Sequence, residues 1–341
     1  MATALRYWLA LHPDLKRPIG GVKQMHRLAE ALRRCGREAT LIQDKADFHP
    51  GWFTSDVATM SHKRWRALLP ELRPERDVVV LPETFLNVFE TYAPGLPKLL
   101  FNQNGSYSFG SVGGKGFPTP QRVLELYRHP ELLHVLCVSQ HDQQLLERGF
   151  ALGSGRVSRL INAIETSVFL PAGAKRRQIA YMPRKNEADA AVVVAMLQQQ
   201  SWWQGWELVP IHKRSQAEVA QILQQSLLFL AFGHPEGFGL PVAEALACGC
   251  AVVGYSGLGG RELLKLAQEH DVGLEVAFGD WLGFVDAAAA LHRSLAKHQT
   301  QVLEALMRSS KAVRSRYSPE AMQHSVATAV ERWEACLPLH P

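Results

Sequence analysis

Apolar residues recur along this chain with two different periods. Ala4–Leu11 is a short apolar run and Pro13–Gly21 is rich in turn residues. Val22–Cys35 then sets Met25, Leu28, Ala29 and Leu32 on one face at helical spacing, and Gly36 stops it. With Glu38–Gln43 as the next strand, the opening is a strand–helix–strand unit, which implies a parallel sheet with right-handed crossovers. Asp77–Leu81, Lys98–Asn102 and His134–Ser139 are predicted as further strands, each ending in polar or turn residues. Gly105–Pro120, rich in glycine and serine, is expected to be a mobile loop. A second alternation begins after Ala172-Gly173. Strands are predicted over Gln178–Met182, Trp206–His212, Leu227–Phe232 and Cys250–Tyr255, with helices near Ala188–Gln200, Ser215–Gln225, Pro241–Cys248 and Pro319–Cys336.

The length agrees with two α/β domains joined near residues 165–175, because 341 residues exceed what one core of ~250–300 residues holds. The composition, 47% hydrophobic and 20% charged, is that of a globular chain and excludes disorder, collagen and a disulfide scaffold. No apolar run reaches the ~18–20 residues of a membrane span, and the N-terminal stretch, broken by Arg6, lacks a signal-peptide cleavage site. Five cysteines without framework spacing are read as thiols in a reducing cytoplasm. No Asp-x-Asp pair, HExxH or Cys/His quartet is present, so no metal site is expected. Residues 1–170 hold 21 Lys/Arg against 16 Asp/Glu, while the rest is neutral. That bias suits an anionic partner, or a solvated basic face, and is too dilute for nucleic acid. Lys63-Arg-Trp-Arg66 is read as a solvated helix face, with a peripheral contact on the cytoplasmic face of a membrane as the alternative.

The chemistry concentrates in His234-Pro-Glu-Gly-Phe-Gly-Leu-Pro-Val-Ala-Glu244. It follows a predicted strand, so it starts at a strand's carboxyl end, where ligands of open α/β sheets bind. Gly237 and Gly239 allow close backbone approach, and Pro241 suits a helix start. Strand, glycine turn and helix N-terminus together form an anion site. Glu236 is expected on the loop and Glu244 in the first helical turn, where its carboxylate could hold vicinal hydroxyls or simply complement the helix dipole.

Glu236-Gly-Phe238-Gly-Leu240-Pro-Val-Ala-Glu244 resembles the E-x7-E signature of retaining, nucleotide-sugar-dependent glycosyltransferases of group 1 (family 4), which have the GT-B fold. The continuation Ala247-Cys-Gly-Cys-Ala-Val-Val-Gly, ending in Gly-Gly-Arg-Glu262, resembles the same family. So do Asn162-Ala with Phe169-Leu-Pro at the domain joint, and Gly20-Gly21 before the first helix. The resemblance implies two Rossmann-like domains facing each other across a cleft: residues 1–170 on the acceptor side, 171–318 binding the nucleotide sugar, and 319–341 as a helix crossing back. It implies hexosyl transfer from a nucleoside-diphosphate sugar to a glycan, lipid or small-molecule hydroxyl, with retention of configuration and no cofactor beyond the donor itself. Glu236, Arg184 and Lys185 would be catalytic. Gly20, Gly21, Arg184, Lys185, His234, Gly237, Phe238, Gly239, Leu240 and Glu244 would bind the donor. Arg184-Lys185 stands where the family has Gly-Arg followed by Lys; following a strand directly, adjacent residues would point apart, and Arg184 is preferred for its planar fork.

Asn102, Asn104 and Tyr107 follow a strand and could face the sugar or acceptor, or form a plain turn. Trp202, Trp203 and Trp206 read as helix-end packing rather than a sugar platform. Gly110–Phe117 fails as a P-loop, since Phe117 stands where Ser or Thr is needed. A hydride-transferring dehydrogenase is disfavoured because no strand leads into GxGxxG. A non-catalytic nucleotide-sugar-binding module stays open, as does another nucleotide-dependent Rossmann enzyme.

Overall fold

A computed structural model describes residues 5–11, 14, 16, 19–110 and 117–337. By its contacts the chain divides into unit 1, Met1–Ala163 with Glu320–Pro341, and unit 2, Ile164–Pro319.

Unit 1 runs β1 (Arg6–Ala10), α1 (Gly20–Arg34), β2 (Glu38–Gln43), β3 (Thr59–Ser61), α2 (His62–Leu68), β4 (Asp77–Pro82), β5 (Lys98–Asn102), α3 (Pro120–Leu126), β6 (Leu132–Cys137), α4 (Gln140–Gln144) and β7 (Val157–Arg159). Its sheet is parallel throughout, in the order β3-β2-β1-β4-β5-β6-β7. The central strands are apolar on successive residues because helices cover both faces, and Val78–Leu81 and Leu99–Phe101 are fully buried. Trp65 of α2 is part of this core, its ring 5.2 Å from that of Trp8. In the Lys63–Arg66 run the indole is turned inward, and Lys63, Arg64 and Arg66 are exposed, as on a solvated helix face. Gly105–Phe109, expected as mobile loop, is a 3-10 turn whose N-cap Asn104 accepts the Ser106 N–H at 3.1 Å. The Ser111–Gly116 part of that prediction lies outside the described residues.

Unit 2 runs β8 (Arg176–Tyr181), α5 (Glu187–Gln198), β9 (Glu207–Pro210), α6 (Gln216–Gln225), β10 (Ser226–Phe232), α7 (Leu240–Ala247), β11 (Ala251–Tyr255), α8 (Arg261–Glu269), β12 (Gly273–Glu275), α9 (Trp281–Lys297) and α10 (Gln299–Arg316). These strands form a second parallel sheet, β12-β11-β10-β8-β9. Phe232 stacks on Phe284 of α9 at 5.0 Å, joining sheet to helix. Trp202 stacks on His292 at 4.9 Å and Trp206 is buried, so these indoles are packing groups. The final helix, α11 (Pro319–Glu334), packs within unit 1. There Trp333 Nε1 donates to Tyr7 Oη at 2.8 Å, and Tyr7 donates in turn to Glu334 at 2.6 Å. Arg37 closes the network on Glu334 at 2.5 Å. Among the described residues, no helix is long and apolar enough to cross a membrane.

Candidate functional site

The carboxyl end of β10 opens into two interlocked loops of unit 2. After Phe232 the chain passes through His234–Gly239 and enters α7; after β11 it passes through Ser256–Gly260 and enters α8. The loops pair like strands: Glu236 donates its N–H to the Gly257 carbonyl at 2.9 Å, and its own carbonyl accepts from Gly259 at 3.1 Å. Glycine permits this contact. A Cβ on Gly259 would fall 2.1 Å from the Gly237 carbonyl oxygen, far inside any allowed separation. Gly239 has φ +87°, the left-handed conformation, and from there turns the chain into α7 with Pro241 at the helix's second residue. Among the described residues, the N–H groups of Phe238, Gly239 and Leu240 find no protein acceptor. They form the positive end of the helix, an arrangement that binds anions.

His234, Glu236, Gly237, Phe238, Gly239, Leu240 and Glu244 are thus gathered on one loop and helix. His234 is exposed beside the Phe278 ring, 6.1 Å between centroids, Glu236 is half-buried, and Phe238 is buried. Glu244 requires a correction. The helix begins at Leu240, so Glu244 is its fifth residue, and the first turn carries no acidic group. Complementing the helix dipole, an effect confined to the first turn, therefore does not account for it.

Arg184 and Lys185 also differ from expectation. They lie in a one-turn 3-10 helix, Pro183–Lys185, between β8 and α5, because Pro183 fixes φ and starts a turn. Strand alternation therefore does not govern this turn. Arg184 is exposed. Since β8 neighbours β10 in a parallel sheet, this turn leaves the same sheet edge as the Glu236 loop.

Gly20, Gly21, Asn102, Asn104 and Tyr107 belong to unit 1. The two glycines are the first residues of α1 rather than a loop before it. Asn102 is fully buried, donating to Ser108 Oγ at 3.0 Å and to Tyr127 Oη at 2.6 Å. It braces its loop from within instead of facing a ligand. Asn104 caps the following turn, while Tyr107 is exposed. Gln103, between them, reaches across to donate to the Gly21 carbonyl at 3.2 Å, joining the β5 loop to the start of α1.

Two buried carboxyls under that loop were not visible in the sequence. Glu83, at the end of β4, accepts the Gln103 N–H at 3.0 Å, and Asp142, on α4, accepts that of Gly105 at 3.4 Å. Burial, with the neighbouring Asp142 charge adding to it, pushes the Glu83 carboxyl up to about 8. No local pattern marks them, because residues some sixty positions apart meet only through sheet order.

Residues 208–308, which contain both interlocked loops, match the family described as glycosyl transferases group 1. An α-1,6-glucosyltransferase of Actinobacillus pleuropneumoniae is 26% identical over 216 residues, covering 61% of this chain and 59% of that protein. The chain thus spans about three-fifths of the length of that curated relative. Two solved structures share the fold throughout. Sucrose-phosphate synthase of Thermosynechococcus elongatus gives a TM-score of 0.70 at 13% identity, covering 97% of this chain and 100% of that one. HepE of Anabaena, solved with UDP and glucose, gives 0.67 at 12% identity, covering 96% and 99%. The chain has the two-sheet GT-B fold, and the stretch of its second unit over residues 208–308 is similar to group 1 glycosyl transferases.

Proposed function

We propose that this protein is a nucleotide-sugar-dependent glycosyltransferase which keeps the anomeric configuration of the sugar it moves to a hydroxyl acceptor. The observation that carries the reading is the interlocked loop pair leading into α7, within the region that matches the transferase family. A UDP-sugar is the favoured donor, since the HepE structure holds UDP and glucose on the same fold. Glu244 would take the ribose hydroxyls. The free N–H groups before α7, with Arg184 and Lys185, would neutralise the diphosphate as it departs, and no metal ion is part of the scheme.

A double displacement needs two carboxyls ~5–5.5 Å apart across the sugar. Glu244 is assigned to the ribose, a diphosphate's length from the anomeric carbon, which leaves Glu236 without that partner. The reaction we propose is a front-face transfer. The bond from anomeric carbon to leaving oxygen breaks as the acceptor oxygen approaches from the same side, and the leaving diphosphate oxygen takes the acceptor's proton. Glu236 holds sugar hydroxyls and steadies the oxocarbenium-like state. Unit 1, with the Gln103–Tyr107 loop, would serve the acceptor. Incubation with UDP-, GDP- and TDP-sugars, reading nucleoside diphosphate release, tests the reading; binding of a nucleoside diphosphate with no release from any sugar, with or without acceptors, would favour a binding module.

A further inference from the structure

Beneath the signature loop lies a second set of contacts that the proposed chemistry does not use. Tyr317, fully buried just beyond the end of α10, donates its hydroxyl to Glu262 Oε1 at 3.0 Å. Its ring meets that of Phe238 at 5.0 Å, tilted by 59°. Its backbone carbonyl accepts the N–H of Ile164, the first residue of unit 2, at 2.9 Å. Glu262 is itself buried, in the first turn of α8 and two residues after Gly260. Placing a carboxylate there is costly, and a well-packed apolar side chain would fill the space at less cost, so the pair is better explained by the geometry it specifies.

That geometry bears on both loops at once. Through its ring Tyr317 supports Phe238, in the middle of Gly237–Leu240. Through Glu262 it holds the end of Ser256–Gly260, which is bonded to Glu236 by both backbone groups. We infer that Tyr317 and Glu262 are positioning residues which set the height of Glu236 and of the free N–H groups before α7 relative to a bound nucleoside diphosphate. The inference rests on the donor-binding reading of that loop. Because Tyr317 also fastens Ile164, the floor of the loop and the point where the chain enters unit 2 depend on one residue.

Tyr317→Phe keeps the ring and removes only the hydroxyl bond, whereas Glu262→Gln keeps an acceptor oxygen in place. We expect Tyr317→Phe and Glu262→Ala each to weaken UDP binding about tenfold by calorimetry, with Glu262→Gln restoring it to within about twofold of the parent chain. Amide hydrogen exchange over 233–240 and 256–262 should quicken about tenfold in the first two variants and not in the third. The double variant Tyr317→Phe/Glu262→Ala should be no worse than either single one, since both break the same bond. Unchanged exchange in Tyr317→Phe, or a Glu262→Gln variant as impaired as Glu262→Ala, would overturn the inference. If the parent chain binds none of UDP, GDP and ADP, the donor reading fails, and the exchange measurement still decides whether this pair positions the loops.

Discussion

Replacing Glu83 with glutamine should stabilise unit 1 at pH 8 and leave it unchanged near pH 4. Glu83 is 3% exposed, and its carboxyl is raised from 4.5 to about 8, with burial as the leading cause. The ionisable groups that act on it, Asp142 and the Tyr127 hydroxyl, are both acids, so neither offsets its charge. Between pH 4.5 and pH 8 the folded chain holds a proton on Glu83 that the unfolded chain has released. Stability must then fall as pH rises through this window, by up to about 1.4 kcal/mol per pH unit, and level off on either side. The accumulated loss is about 3 kcal/mol at pH 7 and about 5 kcal/mol above pH 8. Glutamine has nearly the same shape and no proton to lose, so the variant escapes the loss. For a unit of this size each kcal/mol shifts the melting temperature by ~2–4 °C, so the gain at pH 7 should be roughly 6–12 °C. Thermal melts of both proteins at pH 4, 6 and 8, followed by circular dichroism, would measure it. A melting difference that is the same at pH 4 and pH 8 would refute the reasoning, since a packing effect of the substitution does not titrate.

Other expectations concern unit 2. Glu244→Ala should weaken UDP binding roughly 10- to 100-fold, the loss of charge-assisted bonds worth ~1.5–3 kcal/mol, without lowering the melting temperature; unchanged affinity by calorimetry would remove Glu244 from the donor site. Arg184→Ala should cut turnover on the order of 10²-fold while the parent enzyme survives EDTA, and turnover lost to EDTA and restored by magnesium or manganese would contradict the scheme. Glu236→Gln should slow transfer without accumulating a covalent species, which mass spectrometry would reveal, and NMR of the product should show a retained anomer.

Much of this architecture is legible in the chain because central strands of a parallel sheet are buried on both faces. Asp77–Pro82 and Ser226–Phe232 therefore stand out as unbroken apolar runs bounded by turns. The shortest edge strands do not. Thr59–Ser61, Val157–Arg159 and Gly273–Glu275 have three residues each, too few to express a period. A weaker trace marks α10, where Val302, Ala305, Leu306, Ser309 and Val313 repeat at helical spacing. At the site, the Glu236–Glu244 stretch is legible because its glycines, proline and carboxylates are contiguous. Asn102 misleads for the opposite reason. A polar residue closing a strand resembles a ligand contact, and only the arrival of Tyr127 from another element turns it inward. Tyr317 and Glu262, 55 positions apart, are likewise brought together by the fold alone.

The division of the chain also orders its synthesis. Unit 2 is one unbroken segment, Ile164–Pro319, whereas unit 1 is assembled from pieces on either side of it. Tyr7 is translated before any of unit 2, yet its partners Trp333 and Glu334 are translated only after all of it. At ~5–20 residues per second, the interval from Ala163 to Glu334 is roughly 10–35 s, during which unit 2 can complete its sheet and unit 1 cannot cover β1. The unit that begins first thus finishes last, and throughout that interval the ground under Trp333 remains bare to solvent and to whatever binds nascent apolar surface.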